Sequence, residues 1–544
     1  IKSLARKIEP DNNGYLKYID SNNNKSDFSS QTPTPNIQNP HNYSDLDNNG
    51  IIDSFDATTT ISQDIWLQAG EYSFKNLEII NQANLFLLSD IGLAGFKGVK
   101  IIAENLFIST NSFINADNNG YSDNLKIARN YLSPKTLGSA GADIVLEVGS
   151  SCAGTRHGGD GGGAIILEIL DTLEILGTIS ANGEQGLGNI STGCTATDSG
   201  DAGSIYITAN VIKGSGKIES NGGDIFDTGI PGAGGQIALF YNQNQFTGDI
   251  TAFGRINDYM SRTGETGTIY FSSGQNKLVI KNQKNNGVFL LENSLSGLDE
   301  LEFNNTKVVV SAGAELQAGE IFANNALFEG KIKEVFNIIV GGFALMNSGI
   351  VANLNIQATE LWVDNNSYLS AYGLGYKTNE GPGCGERDHS GASYGGVGGY
   401  NATTSIYGSI TEPADFGSGA KPILSTGRPG GAGGGKIFIE IFNNFQLDGE
   451  IIADGKDGEP LAGGPATGGG SGGSVYIIVN NLFGSGSIKA NGGNASSVGK
   501  AGGGGRIAIY GDRTGLPGVI EALGGVNPTE AVYSGGDGTV YYGL

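Results

Sequence analysis

From Ile65 onward, apolar and polar positions alternate with a period of two, in short runs closed by Asn, Gly or Asp. LEIINQANLFLLSD (77–90) and KIIAENLFIST (100–110) set the pattern; KLVIKN, VFLLEN, LEFNN, KVVVSAG and EVFNIIVGG repeat it further along. Alternation of this kind sends every second side chain to one buried face, as in a half-buried strand. No stretch sustains a 3.6-residue period, and glycine costs a helix about 1 kcal/mol at each interior position. The pattern predicts an all-β chain: a sandwich, a barrel or a solenoid.

Internal repetition selects the solenoid, because self-similarity at a fixed offset marks stacked supersecondary units. KIIAENLFISTNSFINADNNGY (100–121) matches LNIQATELWVDNNSYLSAYGLGY (354–376) at an offset of 255, pairing Ala103 with Ala358 and Tyr121 with Tyr376. TRHGGDGGGAIILEILDTLEILGTISANG (155–183) matches GRPGGAGGGKIFIEIFNNFQLDGEIIADG (427–455) at 272. Ser204, Gly235 and Ile250 match Ser474, Gly505 and Ile520 at 270. The predicted organisation is a polar segment at 1–62, a first glycine-rich copy at 63–271, connecting coils at 272–353 and a second glycine-rich copy at 354–544.

Glycine clusters stand immediately before AIILEI, SIYITA, QIALFY, KIFIEI, SVYIIV and RIAIYG. There glycine can take positive φ at corners or let loops lie flat on the stack. The 91 glycines show no G-X-Y period and only 14 prolines accompany them, which excludes collagen. A hydrophobic content of 38% supplies a core, so the chain is not a disordered low-complexity segment.

SGGSVYIIV, GSGSIKANGG, AGGGGRIAIYG, GVIEALGG and GGDGTVYY together resemble a glycine-rich repeat found in very large secreted or surface proteins of bacteria. The resemblance covers roughly two thirds of the chain, in two copies. It implies a right-handed parallel β-helix of pectin-lyase-like type, in an extracellular setting, and carries over no catalytic motif. Gln236 stands where the second copy has Arg506, so the repeat does not require that arginine.

The N-terminal segment holds Asp45-Leu-Asp47-Asn-Asn49-Gly50-Ile51-Ile-Asp53-Ser-Phe-Asp56. Oxygen ligands fall at positions 1, 3, 5, 9 and 12, with the Ile51 carbonyl at 7 and Gly50 at the turn, which is EF-hand loop spacing with Asp at the end. The stretch resembles dockerin and thrombospondin type 3 loops and predicts a bound Ca2+. Glu9, Asp11, Asn13 and Asp20 follow the same spacing more poorly, with Lys17 at position 9. A net charge of −23 fits calcium binding and disfavours nucleic acid, which needs Lys and Arg on phosphates. No apolar run reaches the ~18 residues of a membrane span. The abrupt opening IKSLARKIEP reads as a segment of a larger protein.

Chemistry-bearing clusters are few. Glu386, Arg387, Asp388 and His389 beside Cys384 bring a base, an acid and a charge-neutralising arginine together, as proton abstraction from a uronic acid needs. Arg156, His157 and Asp160 beside Cys152 form a second cluster; its counterpart reads Arg428, Pro429 and Ala432, so the histidine and the acid are not part of the repeat. A Cys152–Cys194 bridge would join two loops of the first copy. Tyr372, Tyr376, Tyr394, Tyr400 and Tyr407 surround the largest insertion, as a sugar-stacking platform or as a cover for the flank of the stack. The leading expectation is an extracellular structural or adhesive module that binds glycans, other cells or its own copies. A secreted polysaccharide lyase or glycoside hydrolase on the same fold is the alternative, and a self-assembling filament or surface-layer subunit a third.

Overall fold

In the computed structural model, side chains are described for residues 58–544 apart from 93–95, 124–129, 144–156, 187–195, 226–227, 258–261, 285–286, 386, 401–405, 426, 461–465 and 517. Backbone strands are also described at 5–6, 8–10, 16–18, 28–29, 144–146 and 154–156. The chain is all-β; among the described residues the sole helical element is the 3-10 turn Ala531–Tyr533. No helix among them is long and apolar enough to cross a membrane. Two compact units are present, Ile1–Phe289 and Leu290–Leu544, and each holds one glycine-rich copy.

Within the first unit the chain visits two parallel ladders in turn. Val99–Ile108, Ala164–Ile169, Ser204–Gly214, Gln236–Phe246 and Thr268–Ser272 lie side by side in one. Asn84–Leu87, Phe113–Asn115, Thr178–Ser180, Lys217–Glu219 and Asp249–Thr251 lie side by side in the other. Like residues stand over like: Val99, Ile165, Ile205, Ile237 and Ile269 form one buried column. Leu85, Ile114, Ile179 and Ile218 form a second. Each such side chain contributes on the order of 2 kcal/mol by leaving water. The second unit repeats the plan, with Leu354, Ile437, Val475 and Ile507 in one column and Ile350, Leu369, Ile451 and Ile488 in another.

The alternation changes phase inside the longer strands, and this makes a corner. In Val99–Ile108 the outward positions Glu104 and Asn105 are consecutive, and in Lys436–Leu447 Phe442 and Asn443 are likewise. Asparagine side chains stack at these corners: Asn105 Nδ2 donates to Asn76 Oδ1 at 2.9 Å, and Asn481 Nδ2 to Asn444 Oδ1 at 3.2 Å. The parallel order breaks where Thr268–Ser272 turns back antiparallel to Asn276–Lys281.

The glycine clusters act mainly through contact distance. Gly163, Gly203, Gly235 and Gly267 form a column in the first unit, and Gly435, Gly473, Gly505 and Gly538 in the second. A Cβ on Gly203 would stand 1.7 Å from the Gly163 carbonyl oxygen, and one on Gly505 2.1 Å from that of Gly473. None of these eight has positive φ, whereas the corner glycines Gly214, Gly484 and Gly511 do. Both roles expected of glycine are therefore present, at different places. The residue after four of these column glycines holds an inserted loop. Ser204 Oγ donates to the Thr136 carbonyl and Ser474 Oγ to that of Asp415, each at 2.6 Å. Gln236 Oε1 accepts from the Asn130 amide, and Arg506 Nε donates to the Tyr407 carbonyl. The Gln/Arg exchange thus preserves one task, holding the loop down.

Gly505→Ala is expected to destabilise the second unit by about 3 kcal/mol through overpacking. Gly536→Ala, whose Cβ would meet nothing nearer than 3.5 Å, is expected to stay near wild type in the same thermal and urea melts. Equal effects of the two would contradict this role for the column.

Candidate functional site

Each copy carries a row of Asx residues that hand a hydrogen bond from the end of one parallel strand to the next. In the first unit Asp117 Oδ1 accepts from the Asn182 amide at 2.6 Å, Asn182 Oδ1 from Asn221 at 2.7 Å, and Asn221 Oδ1 from Phe253 at 2.8 Å. In the second, Asp454 Oδ1 accepts from Asn491 at 2.5 Å and Asn491 Oδ1 from Leu523 at 2.7 Å. Beside it, Asp457 Oδ1 accepts from Asn494 and Asn494 Oδ1 from Val526, at 2.6 and 2.8 Å. Between these two rows runs a groove of about 350 Å³, with Tyr372 at one end and Leu523 and Val526 at the other.

The groove joins apolar surface to oxygen acceptors. Tyr372, Leu523 and Val526 are 41%, 46% and 56% exposed. Burial pushes the Asp454 carboxyl up to about 6, against the opposing pull of the Asn491 N–H and of Lys489. Burial also raises the Tyr372 phenol, with the Asp457 charge adding to it. Lys489 is paired to Glu450 at 2.9 Å. Such a lining can hold a hydroxyl-rich ring by its apolar face and its hydroxyls.

The five tyrosines do not form one exposed platform. Tyr394 is fully buried, its hydroxyl 2.7 Å from Ser474 Oγ and its ring 4.7 Å from that of Tyr407. Tyr407 donates to the Phe416 carbonyl at 2.6 Å. Burial pushes Tyr394 up to about 12 and Tyr407 higher still. These two rings seal the insertion against the strands, which is the cover role. Tyr376 is half-buried, edge-on to Phe416, with Lys333 4.3 Å over its face. Tyr400 is 54% exposed, with Arg387 and Lys500 at 5.5 and 5.3 Å from its ring. Only Tyr372 reaches the groove.

The two acid–base clusters are described in part, and His157 and Asp160 stay within electrostatic reach of each other. Glu386 lies outside the described residues; Arg387 stacks on Tyr400, and His389 Nδ1 meets the Ala466 carbonyl at 3.0 Å. Cys384 is a free, half-buried thiol. His157 Nδ1 lies 3.1 Å from Asp143 Oδ2, a partner the local sequence does not suggest. The Gly158 N–H and then His157 hold Asp143 below the usual carboxylate range. Burial, followed by the Glu184 charge, raises Asp160. The side chain of Arg156 lies outside the described residues, as do Cys152 and Cys194, so their pairing is not described. The residues expected to hold calcium, Asp45, Asp47, Asn49, Ile51, Asp53 and Asp56, lie outside them too, as do the side chains of Glu9, Asp11, Asn13 and Asp20. Among the described residues no group of three His, Cys, Asp or Glu side chains is placed to hold a metal ion. A second, more open cleft of about 570 Å³ lies by Lys331, Lys333, Lys377 and Glu380. Its Lys333 is already paired to Glu380 at 2.5 Å.

The raised Asp454 carboxyl gives a signed expectation. Between about 4 and about 6 the folded chain holds a proton there that the unfolded chain has released, so stability falls as pH rises through that window and is flat above it. Asp454→Asn should remove this decline and stabilise the fold by about 1 kcal/mol at pH 7. The difference between variant and wild type across a pH series of urea melts measures it.

No known family model matches this chain, and comparison with curated proteins and with solved structures likewise returns no match.

Proposed function

We infer that the chain is a structural and adhesive module of an extracellular surface protein, coiled as a right-handed parallel β-helix of pectin-lyase-like type. Calcium at Asp45, Asp47, Asn49, Ile51, Asp53 and Asp56 stabilises its N-terminal segment. Glycans or neighbouring cells, or other copies of the chain, are its partners.

The observation that carries this reading is the way the large insertion is held. Ser474, Arg506, Tyr394 and Tyr407 fasten it to the strands. Tyr400 and Arg387 stay at the surface, with Lys500 half-buried beside them. A loop so fastened presents its outer side chains without the entropy cost of ordering them on contact. Screening the full chain against a glycan array and against cell surfaces tests the reading. Retention on at least one is expected; retention on none overturns it. Chelation of calcium should lower the melting temperature, and Asp45→Ala should lower it without further response to chelator. No shift in either case removes the calcium site.

The groove gives one observation in favour of a second reading, a polysaccharide-cleaving enzyme on the same fold. A carboxyl raised to about 6 beside a second carboxylate is the pairing that a general acid and its partner use. Release of reducing ends or of unsaturated products from a polysaccharide panel would establish it. Intact polysaccharides after prolonged incubation would exclude it.

A further inference from the structure

We propose that the groove between Tyr372, Asp454 and Asp457 is a binding subsite for an uncharged glycan, present in the second unit and not in its copy. This inference rests on the adhesive reading and names the ligand class of one site within it.

The first unit serves as an internal control. Its backbone follows the same path at these positions. Asn118 and Gly373 are both left-handed, at φ 59° and 63°, and their amides donate to the carbonyls of Asn182 and Asp454, each at 3.0 Å. By the offsets of 255 and 272, Tyr372 stands at the place of Asp117, Asp454 at that of Asn182 and Asp457 at that of Gln185. The fold needs none of the three exchanges, since the first unit builds the same turn without them. Asp117 there only relays the row, accepting from Asn182 and from Ser180 Oγ. Tyr372 cannot accept in that way; it turns a 41% exposed ring to the groove instead. Both amide-to-carboxylate exchanges add acceptors: Oδ1 of each aspartate is taken by the row, and each Oδ2 remains for hydroxyl donors.

The choice among ligand classes follows from the lining. A divalent cation takes oxygen on every side, and here Leu523, Val526 and a phenol ring form part of the wall. An anionic polysaccharide would meet Asp454 and Asp457, with Glu521 close behind through its bond from Asn491 Nδ2. A pyranose has one apolar face for the ring and aliphatic side chains, and hydroxyls for the carboxylates. The raised Asp454 adds to this, because a carboxyl that protonates readily is a weak anchor for a cation and can also donate to a sugar oxygen.

Isothermal titration of the full chain with short uncharged oligosaccharides, anionic oligosaccharides and spermidine tests the proposal. The variants are Tyr372→Asp, Asp454→Asn and Asp457→Gln, which install the first unit's own residues, with the melting temperature of each reporting whether the fold is kept. Wild type is expected to bind an uncharged oligosaccharide, with affinity falling about tenfold in Tyr372→Asp and a measurable loss in each aspartate variant, at undiminished melting temperature. Uncharged binding that survives all three substitutions overturns the groove while leaving the adhesive reading intact. Binding only of anionic oligosaccharides or of spermidine, lost in these variants, overturns the ligand class. Absence of any glycan or cell binding overturns both.

Discussion

The glycine columns set the spacing on which everything else depends. Gly163, Gly203, Gly235 and Gly267, and their four counterparts, bring one coil's carbonyl to where the next coil's Cβ would sit. With that approach secured, the adjoining strands pair in register and the isoleucine columns close. Amides within the glycine layers then bond across coils, as from Gly434 to Ser471, Gly472 to Gly503 and Gly504 to Gly536 at 2.8 to 2.9 Å. A methyl group in the column would push a whole layer outward, and strain in a packed stack passes to neighbours. The hydrophobic columns supply the driving force, but the glycine columns decide the geometry in which it can act.

The duplication separates what the scaffold demands from what it permits. Ser204 and Ser474 hold loop carbonyls at the same distance, and Gln236 and Arg506 do the same work with different chemistry. These are anchors, and their variation preserves a task. Tyr372, Asp454 and Asp457 differ from Asp117, Asn182 and Gln185 in kind, and the backbone around them does not answer to the change. The copies therefore differ on the surface of the strand stack as well as in the inserted loops.

Much of the fold was legible in the sequence, because period-two alternation and repetition at fixed offsets are properties of single segments. The strands after the glycine clusters fall where the pattern puts them. The groove was not legible in the same way. Its residues lie 82, 37 and 32 positions apart along 372, 454, 491 and 523, and only stacking brings them together. Asn182 and Asn491 read locally as Asn-Gly turns; their part in the rows depends on a coil that the local sequence does not contain. The signal that finds them is position-by-position comparison of the copies outside the insertions. Of the two roles open to the tyrosines in the sequence, Tyr394 and Tyr407 take the cover role, turning inward because the loop needs a core of its own.

The Asx rows also bear on chemical ageing. Asn182, Asn221 and Asn491 each precede a glycine, the sequence most prone to deamidation, in which the glycine nitrogen attacks the side-chain carbonyl carbon. Here the side-chain oxygens accept from Asn221, Phe253 and Leu523. The nitrogens of Gly183, Gly222 and Gly492 are held by the carbonyls of those same three residues. Nucleophile and electrophile are thus each tied to the next coil, and the ring closure that would start deamidation first has to break both bonds. The scaffold gains chemical durability from the same contacts that align its strands.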